Sequence, residues 1–212
     1  MSARDHFKQF VSNQLGPLAR EHGFNGRGKR LQLGLDEVLQ VISVQKSQSS
    51  SRAEVIFTVE LAVIVRSLAA AETATRRASD RALAGTAPHW VRRLGHLAPS
   101  GRDTWWTVNE DRRQFEEALS WLDAYGFPAL RRLSTAGALM KLWESGTSPG
   151  LTEPQRLVFL SRLAEAEGAA KTQVAADAEL RRYYEQKPVG IIGQRLAELT
   201  GNNPLQENPR EP

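Results

Sequence analysis

VIFTVELAVIVR, residues 55–66, alternates so that Val55, Phe57, Val59, Leu61, Val63 and Val65 fall on one side of an extended chain. The other side carries Ile56, Thr58, Glu60, Ala62 and Ile64. Burying the six apolar side chains contributes about 1.5–3 kcal/mol each, roughly 10–15 kcal/mol gross, which is comparable with the cost of ordering the strand. Such a strand therefore needs helices over its apolar face. An unpaired buried Glu60 is costly, so the mixed face calls for a polar partner or for water.

VLQVISVQKS (38–47) reads as the preceding strand, joined through the polar loop Gln48–Arg52. Matching the apolar faces places Ile42 and Val44 beside Val59 and Phe57, so that cross-strand partners sum to an odd number near 101. Ser43, Gln45, Thr58 and Glu60 then share the second face. Lys29–Leu35 alternates through Leu31, Leu33 and Leu35. Residues 3–21 place Phe7, Phe10, Val11, Leu15 and Leu18 at helical spacing, and Gly23 ends that helix.

Beyond the central strand, Ser67–Gly85 is rich in alanine and arginine and reads as a surface helix or insertion. His89–Leu97 and Thr104–Val108 read as two further strands around an APSGRD turn. Asn109 caps a predicted helix that Gly126 stops, and Pro128 starts another that runs to Ser145–Gly146. Thr152 and Gln155 match a capping box, and Gly168 divides a helical hairpin that reaches Tyr184. A short helix is predicted over 191–199. The fold class is α+β: an antiparallel sheet of about five strands packed with helices, followed by a C-terminal helical extension. The expected organisation is an α+β domain over 1–145, the extension over 146–200 and a disordered tail over 201–212.

The chain has 212 residues, 41% hydrophobic and 25% charged, which excludes a disordered or collagen-like class. Its net charge is +4, and residues 1–150 hold the basic excess, with 20 Lys plus Arg against 15 Asp plus Glu. That excess includes Arg76, Arg77 and Arg81 and the doublets Arg92–Arg93, Arg112–Arg113 and Arg131–Arg132. Adjacent arginines diverge on a helix or strand, so doublets alone do not make a nucleic-acid patch. Cysteine is absent, which removes disulfides, thiolate metal sites and cysteine nucleophiles. Polar residues break every apolar stretch of MSARDHFKQFVSNQLG, and the longest apolar run, Leu61–Val65, is far short of a membrane span. A cytoplasmic location is expected.

Gly23–Lys29, GFNGRGK, fits the first seven positions of a phosphate-binding loop, but Arg30 stands where a magnesium-binding hydroxyl is needed. Helix before and strand after are also the reverse of that motif, so a glycine-rich turn is the better reading, and no nucleotide triphosphate is expected to bind. His6, His22, His89 and His96 show no metal-ligand spacing, and no metal or cofactor is expected. No catalytic residue is identified. His89 and His96 bracket one strand on opposite faces. In the Trp105–Trp106 pair, Trp106 is predicted to be core and Trp105 the candidate surface aromatic, unless a helix covers it.

The ordered set VLQVISVQKS, FTVELAV (57–63), HWVRRLGHL (89–97), TWWTV (104–108) and YGFPAL (125–130) resembles a bacterial family, domain of unknown function 4304. The resemblance spans about residues 5–135 and rests chiefly on the QKS ending a strand and on the paired tryptophans. It implies a small cytoplasmic α+β domain with no established activity. This chain departs from it at Glu60 and Ala62, where the family often has Asn and Gly.

The leading functional expectation is a non-enzymatic protein-interaction module, adaptor-like or immunity-like, with an unknown protein partner. The alternative is an enzyme or small-ligand binder using the polar sheet face. Nucleic-acid binding through the arginine-rich first part ranks below both. The candidate binding surface is Gln45, Glu60 and Trp105, with Lys46 and Ser47 at its rim. The plainer alternative leaves that face wet or covered by the Ser67–Gly85 segment.

Overall fold

Strand β4 (Val55–Val65) lies in the middle of a six-stranded antiparallel sheet, and all six of its alternating apolar side chains are at most 1% exposed. The structure is a computed structural model that describes residues 2–73, 79–109 and 113–186. It divides into two units, Met1–Leu151 and Thr152–Pro212.

In the first unit the strands are β1 (Asn25–Arg27), β2 (Arg30–Gly34), β3 (Val38–Lys46), β4, β5 (Trp90–Arg93) and β6 (Trp106–Val108). The order is β1-β2-β3-β4-β5, and β6 pairs with the start of β4 while β5 pairs with its middle. The fold is thus α+β as expected, with β1 the strand that sequence pattern does not reveal. Three residues with Gly26 at their centre carry too little alternation to register. β1 and β2 form a hairpin whose two-residue loop is Gly28–Lys29, and Gly28 takes the positive φ of 67° that such a loop favours at its first position.

The β3–β4 register pairs Val38 with Val65 and Val44 with Val59, so partners sum to 103. Both faces match the expectation, but the register is slipped by two residues. Ile42 therefore lies opposite Leu61, and Phe57 lies opposite Lys46. The connecting loop fixes this. The Ser50 hydroxyl accepts from Ile56 N at 3.0 Å and Ser47 N donates to Ile56 O at 2.8 Å, which locks the strand ends against one another.

The opening helix and the helices after β6 cover the apolar face. Helix α1 (Ala3–Phe10) continues through a π-helical turn (Val11–Leu15) into α2 (Gly16–Glu21). Helix α5 (Arg113–Trp121) continues in the same way through Leu122–Gly126 into α6 (Phe127–Arg132). Both π turns stand directly before a Gly-Pro or Phe-Pro step, Gly16–Pro17 and Phe127–Pro128. Proline cannot donate to the residue four back and its ring crowds that carbonyl, and the wider turn lets the helix pass. Gly126 therefore does not stop the helix as expected. A Cβ there would lie 2.6 Å from Leu122 Cδ1 and 3.3 Å from Leu61 Cδ1, so the glycine permits close approach of helix to sheet.

The helix begun by Pro128 also ends sooner than predicted. It breaks after Arg132 and restarts as α7 (Ala136–Glu144), capped by Thr135. Gln40, only 2% exposed on the apolar side of β3, donates to Leu130 O at 2.7 Å and so satisfies a carbonyl at that break. The Asn109 cap cannot be followed, because residues 110–112 lie outside the described residues.

Two strand expectations are shortened. His89–Leu97 is extended only over Trp90–Arg93 and then closes into a 3₁₀ turn at Leu94–His96. The two histidines therefore do not share a strand. His89 is fully buried and its Nδ1 accepts from Val65 N at 3.0 Å, whereas His96 is exposed. Thr104–Val108 is a strand only from Trp106.

The alanine-rich segment covers part of the mixed face, as the plainer alternative allows. Within it are α3 (Arg66–Thr73) and α4 (Asp80–Leu83), linked by Arg66 Nη1–Asp80 Oδ1 at 2.7 Å. Ala69, Leu83 and Ala84 pack with Leu39, Val41, Ala62 and Ile64, burying one end of the mixed face. Arg76 and Arg77 lie outside the described residues.

The second unit is a hairpin of α8 (Glu153–Ala166) and α9 (Ala170–Gln186), with Leu157, Val158 and Leu180 packed between them. Thr152 N donates to Gln155 Oε1 at 2.9 Å, forming the expected capping box. The predicted helix over 191–199 and the tail over 201–212 lie outside the described residues. Arg156, 3% exposed, donates to Glu153 and reaches Glu179. The Arg156 hydrogen bond and charge hold the Glu153 carboxyl below the usual carboxylate range. A depressed folded pKa adds stability at neutral pH that is lost as pH falls through that pKa. In thermal melts of Glu153→Gln against parent, the deficit of the variant is expected to be present at pH 7 and to close as the pH drops from ~5 to ~3. An equal deficit at both ends would contradict the linkage.

Candidate functional site

The half of the mixed face left uncovered by α3 and α4 carries the polar residues. Cross-strand register sets Arg30, Ser43, Glu60 and Arg93 in one row over β2, β3, β4 and β5. Gln45 and Thr58 pair in the next row. Gln45 Nε2 donates to Glu60 Oε2 at 2.9 Å, which gives the half-buried carboxylate the partner its position demands. Thr58, fully buried, donates to Thr104 O at 2.9 Å and ties the segment before β6 to β4.

That tie brings Trp105 to the face. Trp106, 1% exposed, goes to the core, where its ring stacks on Phe57 at 5.6 Å and its Nε1 donates to Glu117 at 2.9 Å. Trp105 is 36% exposed, so Trp106 is the core ring of the pair and Trp105 the surface one. The Trp105 indole lies against the Arg93 guanidinium, 5.0 Å from carbon to ring centroid. Asp103 Oδ2 accepts from the Trp105 Nε1 at 3.3 Å and from Arg93 Nη1. One carboxylate thus holds both members of a cation–aromatic pair.

The structure brings Gln45 and Glu60 together and sets Trp105 in contact with Arg93, the cross-strand neighbour of Glu60. Ser47 lies just past the end of β3, and its hydroxyl accepts from Ser49 N at 3.1 Å, within the loop. Lys46 lies elsewhere. Opposite Phe57 in register, it points to the helix-covered side and lines a groove with Phe7 and Lys29. Strand alternation between Gln45 and Lys46 requires this.

Arg93 and Asp103 escape a reading of the sequence. Arg93 reads there as half of a diverging doublet, and the strand pairing that places it beside Glu60 is not visible in local pattern. Asp103 does leave a signal, two residues before Trp105 at the end of a turn.

Among the described residues no three His, Asp or Glu side chains gather to hold a metal ion, and no helix is long and apolar enough to cross a membrane. The GFNGRGK segment follows α2 and runs into the β1–β2 hairpin, with Gly26 inside β1 and Gly28 in the hairpin loop, both at positive φ. The family model for Domain of unknown function (DUF4304) matches residues 15–122, half of the chain. The chain belongs to the DUF4304 family. The match holds all six strands and the Trp105–Arg93–Asp103 contact, so the uncovered sheet face is part of the DUF4304 domain, while α8 and α9 lie outside it. No curated protein and no solved structure matches the chain.

Proposed function

We propose that this DUF4304 chain is a non-enzymatic protein-interaction module of the bacterial cytoplasm, adaptor-like or immunity-like, which binds its partner through the uncovered half of the sheet. The observation that supports this reading is the exposed Trp105 held in place by Arg93 and Asp103. Tryptophan and arginine are the side chains most enriched where binding energy concentrates. A ring already fixed by a guanidinium and a carboxylate loses little further freedom on binding. Glu60 and Gln45 beside it supply a polar rim.

The test is quantitative affinity capture from the native host with parent, Trp105→Ala and Glu60→Ala. Truncating an anchoring tryptophan costs about 2 kcal/mol or more, roughly a thirtyfold loss of affinity. At least one partner of the parent is therefore expected to fall below detection with Trp105→Ala while circular dichroism and melting temperature stay unchanged. If both folded variants keep every partner, this face is not the binding surface.

A further inference from the structure

On the other side of the sheet, between the opening helix and the β1–β2 hairpin, two hollows adjoin. One has a cavity volume of about 330 Å³ and is walled by Arg4, Lys8, Lys29 and Lys46 over a floor of Phe7 and Val11. The next is about 210 Å³ and is walled by Arg20 and Arg27 beside Leu31. They share Val11, Ser12 and Gly28, so they form one trough. Six cations line it and, among the described residues, no carboxylate does. Nor do Arg4, Arg20, Arg27 or Lys46 form an ion pair with any described residue. We propose that this trough binds an acidic peptide segment of a partner protein, in extended conformation, with an apolar side chain seated over Phe7 and Val11.

Charge complementarity gives the sign of the occupant. Asp5 offsets Lys8 in part, but like charges gathered in excess are unfavourable in the free protein, and a polyanion relieves that repulsion. The floor gives the second property. Phe7, Val11 and Leu31 close the base but are almost wholly buried, so the apolar surface on offer is mainly the alkyl stems of the lining lysines and arginines, which a bare inorganic anion would leave uncovered. Two hollows in line suit an extended chain, whose side chains on one side recur every ~7 Å. Single-stranded nucleic acid fits less well, because base stacking needs an open aromatic face. Phe7 is 3% exposed, and the Lys29 ammonium lies 5.6 Å from its ring centroid.

The trough is a different surface from the Trp105 face and stands independently of it. The test is selection of random peptides displayed against the immobilised full chain, followed by binding of the enriched peptides and of a labelled oligothymidylate at ~0.15 M salt. Enrichment of Asp and Glu around an aromatic or aliphatic residue is expected. The variant Lys29→Glu with Lys46→Glu, at one exposed and one half-buried position, should weaken the enriched peptides by about tenfold or more, and Arg4→Glu, at an exposed position, should act in the same direction. Arg52→Glu with Arg81→Glu, off the trough, and Trp105→Ala should leave them unchanged. No enrichment, enrichment of neutral or basic peptides, equal binding by the folded trough variants, or tighter binding of the oligothymidylate would each overturn the proposal.

Discussion

Phe57→Ala is expected to lower the unfolding free energy of the first unit by about 3–5 kcal/mol, enough to remove a large part of the stability of an ordinary domain. Phe57 is fully buried in the middle of an aromatic cluster. Its ring centroid lies 5.4 Å from Phe7, 5.3 Å from Phe10, 5.6 Å from Trp106 and 5.6 Å from Phe115. Those four rings come from α1, β6 and α5, elements separated along the chain by up to a hundred residues, so one side chain joins both covering helices to the sheet. The surroundings are rings fixed to three different elements, which limits collapse into the cavity left by alanine and puts the cost toward the upper end. Chemical denaturation should show a lower midpoint with an unchanged slope, and Phe57→Leu should lose much less. A loss below ~1 kcal/mol for the alanine variant would mean that the cluster does not anchor the helices.

The central position of this residue is legible in the sequence, because period-2 alternation over eleven residues has one reading. The pairing of β3 with β4 and their shared faces follow from the same signal. The slip of two residues does not, since it preserves every inward side chain and depends on the Ser47 and Ser50 hydrogen bonds inside the loop. The helix ends mislead for a related reason. Gly126 has the composition of a stop, yet the deciding fact is its distance from Leu61 on a strand far away in sequence. Gln40 is an oddity in the apolar pattern of its strand, and only the folded chain supplies the Leu130 carbonyl it satisfies. For the candidate surface, Glu60, Gln45 and Trp105 are legible because alternation sorts faces within a strand. Arg93 is not, because its position depends on pairing between strands; Asp103 shares the side of Trp105 by alternation, but its contact with Arg93 depends on the turn that follows β5.

That turn is where fold and surface meet, and Gly95→Ala tests the connection. Gly95 is buried in the Leu94–His96 turn. A Cβ there would lie 2.5 Å from Thr104 Oγ1 and 2.7 Å from Thr104 Cβ, with the Arg102 carbonyl oxygen closer still. Backbone cannot rotate away as a flexible side-chain end can, so the 102–104 segment must shift. Overpacking of this kind costs about 1–3 kcal/mol. The same segment carries Asp103, which holds Trp105 and Arg93, and the Thr104 carbonyl that accepts from Thr58. Gly95→Ala is therefore expected to do two things at once: lower the melting temperature and release Trp105 from its carboxylate. Acrylamide quenching of tryptophan fluorescence, compared with Trp105→Phe to isolate the contribution of that ring, should rise in the variant well below its melting transition. If quenching and stability both match the parent, the close approach of Gly95 does not position the segment that bears Trp105, and the rigidity assigned to this surface must come from the Thr58 tie alone.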